Sequence, residues 1–469
     1  MQDLTHYING EHVAGTSGRF ADVMNPATGE VQARVPLANA AEMDHAVQVA
    51  AAAQPAWAAT NPQRRARVLM KFVDLLNRDM QKLAEALSRE HGKTVPDAKG
   101  DVQRGLEVVE YCIGAPQLLK GEYTDSAGPG IDMYSMRQAL GVTAGITPFN
   151  FPAMIPMWMF APAIACGNAF ILKPSERDPS VPLMLAELLE EAGLPKGILQ
   201  VVNGDKEAVD AILYHDVIQS IGFVGSTPIA EYIYWNRLPQ TRWLVQATVP
   251  AGERCMAISV AVPVGEETAD RLIEALVPRI EKLKVGPYTA GDDVDYGPVV
   301  TAAAKANIER LVQSGVDAGA KLVVDGRNFN LQGYEDGFFV GPHLFDNVTP
   351  DMEIYQKEIF GPVLSTVRAG SYEEALKLAY GSRIRQRHRD LYPRRRRRAR
   401  FRGPCECRHD RHQRANPCSA GLSHLWRLEE ICLWRFEPTR SGCVQILHTH
   451  QNRHIALAVR HQARWRVQL

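Results

Sequence analysis

Gly141-Val142-Thr143-Ala144-Gly145-Ile146 is the stretch on which the fold turns. From Gly141 onward, short β-branched or apolar runs alternate with helical segments, which is the signature of a parallel sheet with crossover helices. Val142 to Ile146 reads as the first strand and Pro152 to Cys166 as an apolar helix after it. Ala169 to Leu172 is the second strand, Val181 to Ala192 its helix, and Ile198 to Val202 and Ser220 to Val224 the next two strands. The architecture is that of a Rossmann-type nucleotide-binding α/β sheet, yet no G-x-G-x-x-G follows the first strand.

Upstream, Tyr7 to Glu11 and Asn25 to Glu30 pair β-rich pieces with turn residues, which predicts an N-terminal hairpin and loop. Helices follow. Asn39 caps an alanine-rich run to about Trp57, Asn61-Pro62 caps a second helix, a third ends at Gly92, and a fourth carries Arg104 and Leu106. Gly121 to Arg137, with Gly128-Pro129-Gly130 between two polar strands, reads as a hairpin arm leaving the main body, a form that often serves assembly.

The charge is unevenly spread. Residues 381–469 hold 21 Arg, no Lys and 6 acidic residues, a net +15, against −15 over residues 1–380. Cysteines divide likewise, with Cys112, Cys166 and Cys255 in the first part and five in the second, so the first part suits a reducing compartment rather than a disulfide framework. No eighteen-residue apolar span and no signal-peptide pattern occur, and a cytoplasmic protein without a membrane partner is expected.

Two loops at strand ends carry candidate ligand chemistry. Lys173-Pro174-Ser175-Glu176 follows the second strand, where a lysine can meet a ribose hydroxyl or phosphate and a carboxylate can accept from ribose hydroxyls. Gly225-Ser226-Thr227-Pro228 follows the fourth, and backbone amides at that helix start would hold a pyrophosphate. Ordinary strand-to-helix loops also use Ser, Thr and Pro, so it is the pair at corresponding ends that points to a nucleotide. Further on, Gly252-Glu253-Arg254-Cys255-Met256 sets a cysteine beside a fixed cation. A neighbouring guanidinium favours the thiolate, which makes Cys255 the nucleophile candidate, against the alternative of a buried structural cysteine.

These residues, with Thr147 to Pro152, Phe223 to Thr227 and Glu358-Ile359-Phe360-Gly361-Pro362, resemble the aldehyde dehydrogenase superfamily. The Arg-Cys-Met order at the cysteine is similar to the CoA-acylating, methylmalonate-semialdehyde-oxidising branch. The resemblance implies an NAD-binding domain at 1–120 and 138–250, an oligomerisation arm at 121–137, an α/β catalytic domain at 251–380, and a homotetramer. It implies that Cys255 attacks the aldehyde, that Asn150 and the Cys255 N–H form the oxyanion hole, and that Arg254 and Arg104 grip a substrate carboxylate. Phe149, Lys173, Glu176, Gly225, Ser226, Glu358 and Phe360 would hold NAD, and coenzyme A would take the acyl group with loss of CO2. Hydrolytic members of the superfamily activate water with a glutamate that is missing between Trp235 and Pro250, which favours CoA; a hydrolytic enzyme stays open as the alternative, as does an inactive product. Preference between malonate and methylmalonate semialdehyde, and the choice between valine and inositol breakdown, also stay open.

The resemblance lapses twice. Residues 235–250 leave too little chain for both a complete crossover helix and its receiving strand, and residues 381–469 have lost helix and strand periodicity. Arginine without lysine, together with 8 of the 14 histidines, is what a GC-rich frame gives when read out of register. An unstructured tail, missing catalytic strands and poor folding are therefore expected. An arginine-rich nucleic-acid arm is the competing reading, but no specific nucleic acid is expected; Cys405, Cys407, His409, His412 and Cys418 lack the usual zinc spacing, so neither is a metal.

Overall fold

The computed structural model describes residues 2–129, 131–237, 243–248, 253–254, 257–291, 293–380, 432–435, 443–449 and 453–459. In the first half the strands Val142–Ile146, Ala169–Lys173, Leu199–Val201 and Ile218–Gly225 run parallel in one sheet. Every residue of the first three is buried, the state of parallel strands covered on both faces, which is why they read as mainly apolar runs. His6–Ile8 joins Leu199–Val201 antiparallel and turns back into Glu11–Val13 through Asn9 and Gly10, whose φ values of 55° and 73° suit a tight hairpin turn.

Helix ends follow the chain's capping signals. Asn39 and Glu42 form a reciprocal capping box before Ala40–Ala59, and the Asn61 side chain caps Pro62–Arg78. Buried Arg65 gathers the carbonyls of Ala165 at 3.0 Å, Ala58 at 3.1 Å and Thr60 at 2.7 Å, joining the carboxyl ends of two helices with one cation. Among the described residues, no helix is long and apolar enough to cross a membrane.

Two expectations need correction. The helix after Ile218–Gly225 runs without a break through Thr227–Arg237, and Trp243–Thr248 then pairs parallel to Ile218–Gly225, so the crossover and its receiving strand are both present. Loss of apolar periodicity at Trp235 was a poor guide to helix length because the backbone hydrogen bonds, not the pattern, continue the helix. Second, the tail is not strandless: Arg453–Val459 lies parallel to Ile258–Pro263, and Cys443–Thr449 and Cys432–Arg435 extend that sheet antiparallel. The remainder of 381–469, with the Cys/His cluster at 405–418, lies outside the described residues.

The second sheet therefore runs Lys321–Val324, His343–Asp346, Val363–Thr366, Ile258–Pro263, then the three tail strands. It packs on a core of its own that includes Ile308, Leu311, Phe345 and Ile354. The halves touch at a glycine pair. Gly92 ends the helix Met80–His91 in the left-handed region at φ 90°, and a Cβ built on Gly297 would fall on the Gly92 carbonyl. Gly297→Ala should therefore destabilise the protein by roughly 1–3 kcal/mol. Thermal unfolding checks it, and a variant melting with the parent would show that this seam yields freely.

Candidate active site

The sheet order sets the location. The first strand in the chain order of the parallel unit, Val142–Ile146, has Ala169–Lys173 on one side and Ile218–Gly225 on the other, so the strand order reverses there. Open α/β sheets bind ligands outside the carboxyl ends of strands at such a reversal. The loop 147–153 leaves from that point, and its first residue continues the ladder, with Thr147 N donating to Lys173 O at 3.1 Å.

Asn150 is buried in this loop, and its backbone carbonyl accepts from Lys93 Nζ at 2.6 Å. Lys93 is also 3.0 Å from Asp101 Oδ2 and stands 4.0 Å over the Phe151 ring. Asp101 Oδ1 in turn accepts the Met154 N–H at 2.7 Å, where the helix Met154–Ala165 begins. Burial pushes the Asp101 carboxyl up, against the pull of the lysine.

Phe149 lies beside Phe360, edge to face at 5.8 Å, so residues from the two halves that were expected to share the cofactor do meet. The Arg177 guanidinium covers the Phe149 ring at 4.7 Å and the His91 ring stands 6.0 Å away. Phe360 has φ 56°, a left-handed conformation uncommon outside glycine. Glu358, two residues earlier, is exposed.

At the nucleotide loops, Lys173 is buried with its Nζ 3.6 Å from Glu176 Oε2. Burial lowers its pKa and Glu176 opposes that, so the pair presents a charged donor and an acceptor together at a strand end. Ser226 is exposed at the start of Thr227–Arg237, where its carbonyl accepts the Ala230 N–H at 3.0 Å. These features fit a dinucleotide, with hydroxyl-binding groups after one strand and helix amides after another, both flanking the strand at the reversal.

Cys255 lies outside the described residues, but the two residues before it are placed. Arg254 is half exposed and pairs with Asp97 on the helix Val95–Ile113. Arg104 is exposed on that same helix, and its carbonyl accepts from Trp158 Nε1 at 3.2 Å. Asp97 and Arg104 are seven residues apart, so they share a helix face about 10 Å apart along the axis. Glu253 is buried at φ 47°, and its Oε1 accepts the Val300 N–H at 3.2 Å.

Burial pushes the Glu253 carboxyl up to about 8 and Glu90 up to about 7. Folded protein then keeps protons that unfolded chain releases, so these groups subtract stability as pH rises from about 4.5 to 8, with no further loss above that. Glu253→Gln keeps an acceptor for Val300 and cannot ionise. It should gain on the order of 3 kcal/mol over the parent at pH 8.5 and almost nothing at pH 4.5, measured by thermal melts. Equal melting differences at both pH values would refute the assignment.

With this geometry in hand, a sequence model of the aldehyde dehydrogenase family matches residues 12–242 and 240–386. The chain belongs to the aldehyde dehydrogenase family. It is 52% identical over 404 residues to a malonate-semialdehyde dehydrogenase of Pseudomonas aeruginosa, covering 81% of each chain. It is 45% identical over 405 residues to an acylating mitochondrial methylmalonate-semialdehyde dehydrogenase of Arabidopsis thaliana, covering 80% of this chain and 66% of that one. Among solved structures, a protein from Sinorhizobium meliloti assigned as methylmalonate-semialdehyde dehydrogenase and complexed with NAD matches with TM-score 0.79 and 63% identity, covering 81% of this chain and 82% of that one.

Set on this aldehyde dehydrogenase fold, Phe149 meets Phe360 beside buried Asn150, and Lys173, Glu176, Gly225 and Ser226 occupy the ends of the two strands flanking Val142–Ile146. Sequence reasoning passed over Lys93, Asp97 and Asp101. Their signal was faint: a lysine after a helix-ending glycine, and two acids four residues apart on one helix.

Proposed function

We propose that this aldehyde dehydrogenase oxidises malonate or methylmalonate semialdehyde with NAD and transfers the acyl group to coenzyme A, releasing CO2 and giving acetyl-CoA or propionyl-CoA. The observation that carries the reading is Arg254, adjacent to the nucleophile candidate and anchored through Asp97 to the helix face that also bears Arg104. Two arginines on one side of the site match a substrate carboxylate, which a guanidinium binds bidentately. The activities named for the relatives support the same substrate class.

The Cys255 thiolate attacks the aldehyde carbon, and the oxyanion of the thiohemiacetal accepts hydrogen bonds from the Asn150 side-chain amide and the Cys255 N–H. NAD, when bound, would supply the hydride acceptor; Lys173, Glu176, Gly225 and Ser226 would hold its ribose and phosphates, and Phe149, Glu358 and Phe360 the nicotinamide end. The thioester left on Cys255 is attacked by the CoA thiol, which frees the cysteine. The carboxylate carried by the acyl group departs as CO2, its bonding pair staying on the α-carbon, which takes up a proton. Assembly through the hairpin Tyr123–Gly128 and Ile131–Tyr134 completes the reading; its side chains Tyr123, Ile131, Met133 and Tyr134 are exposed.

The test measures NADH and acyl products from malonate semialdehyde with and without CoA. Steady turnover should require CoA and yield a thioester. Arg254→Met should raise KM for the carboxylated semialdehyde about 100-fold while changing that for propanal little. NADH formation at full rate without CoA, giving free acid, would reject the acylating reading in favour of a hydrolytic one.

A further inference from the structure

We propose that Lys93, with Asp101, is a positioning residue that fixes Asn150 for oxyanion stabilisation, an inference that rests on the oxyanion role given to Asn150 above. The geometry is that of a clamp. Lys93 Nζ holds the Asn150 carbonyl at 2.6 Å, and its ion-pair partner Asp101 holds the Met154 amide at 2.7 Å. One buried pair, 3.0 Å across, thus grips a backbone acceptor and a backbone donor at the two ends of the segment 150–154. Phe151, between them, lies under the ammonium at 4.0 Å.

The choice of residue types is informative. A buried ion pair is poor value as a stabiliser, because the desolvation cost is offset only in part by attraction, and a well-packed apolar pair of similar volume often does as well. What an apolar pair cannot do is bond a carbonyl and an amide in opposite senses. Among the described residues the Asn150 side-chain amide has no hydrogen-bond partner, so its aim is set through the backbone that Lys93 holds.

The clamp is also fixed to the opposite half of the molecule. Lys93 directly follows Gly92, whose carbonyl packs on Gly297, and Val300 three residues further on anchors Glu253, two residues before Cys255. The Asn150 carbonyl and Glu253, two residues before the nucleophile candidate in sequence, are therefore both tied to the neighbourhood of one short piece of chain, residues 92–93.

The experiment compares the parent, the paired change Lys93→Met with Asp101→Leu, Asn150→Ala, and all three together. The paired change removes both charges and so avoids stranding one. Aldehyde-dependent NADH formation should fall roughly 10- to 100-fold in kcat, with KM held within about threefold, since a displacement of about 1 Å has effects of that size. In the Asn150→Ala background the same paired change should cost less than about threefold, because the group being aimed is already gone. Amide exchange at residues 150–154 should quicken about tenfold while the strand Val142–Ile146 keeps its protection.

Multiplicative losses in the combined variant would overturn the proposal, as would unchanged exchange at 150–154, a readout that needs no turnover. If Asn150→Ala alone keeps full kcat, the oxyanion role fails instead, and exchange still decides whether Lys93 holds the segment. Should the paired variant not fold, Asp101→Asn, which keeps an acceptor for Met154, carries the same comparison.

Discussion

Replacing Cys255 by alanine should lower aldehyde-dependent NADH formation by about 10⁴-fold or more, with the melting temperature unchanged, because a covalent route has no substitute for its nucleophile. The two free cysteines among the described residues are poor rivals. Burial pushes the Cys112 thiol up to about 12 and also raises Cys166, so neither is a competent thiolate near neutral pH. Arg254 stands immediately before Cys255, but its guanidinium is already committed to Asp97. Iodoacetamide labelling mapped by mass spectrometry reads the same point without turnover: Cys255 should be modified ahead of Cys112 and Cys166, and aldehyde should slow it. A variant lacking Cys255 that still reduced NAD with substrate would end the covalent reading.

Much of this was legible in the sequence, for local reasons. Parallel strands covered on both faces must be mostly apolar, and Val142–Ile146 and Ala169–Lys173 are, with Thr143 and Lys173 the exceptions. Helix starts and stops are written in side chains a few residues away, as at Asn39 with Glu42 and at Gly92. The site was legible only as a set of separate loops. Phe149 against Phe360 and Arg254 on Asp97 join residues more than a hundred and fifty positions apart, and pairs at that separation leave no periodicity to read. The tail shows the opposite failure. Its strands Cys443–Thr449 and Arg453–Val459 interleave histidine, glutamine and arginine with apolar residues, so backbone pairing of the second to Ile258–Pro263, and of the first to the second, places strands where the pattern promises none. The family match ends at residue 386, within the stretch whose composition departs from the rest.

Asn150→Ala should lower kcat by about 10²–10³ while leaving KM within a few-fold, since an oxyanion donor acts on charge that exists only after the thiolate has added. The fold should survive the change. The buried part of Asn150 that holds structure is its carbonyl, taken by Lys93, and alanine keeps that carbonyl in place. A rapid-mixing experiment separates the steps: formation of NADH in the first turnover should slow by the same factor as steady turnover, and transfer to CoA, measured from a preformed acyl-enzyme, should also slow because its tetrahedral intermediate uses the same donor. A loss confined to KM would mean that Asn150 binds the ground-state aldehyde and no more. A loss of melting temperature matching the loss of activity would mean that the side chain supports the loop, and the donor would then have to be sought among the backbone amides near Cys255.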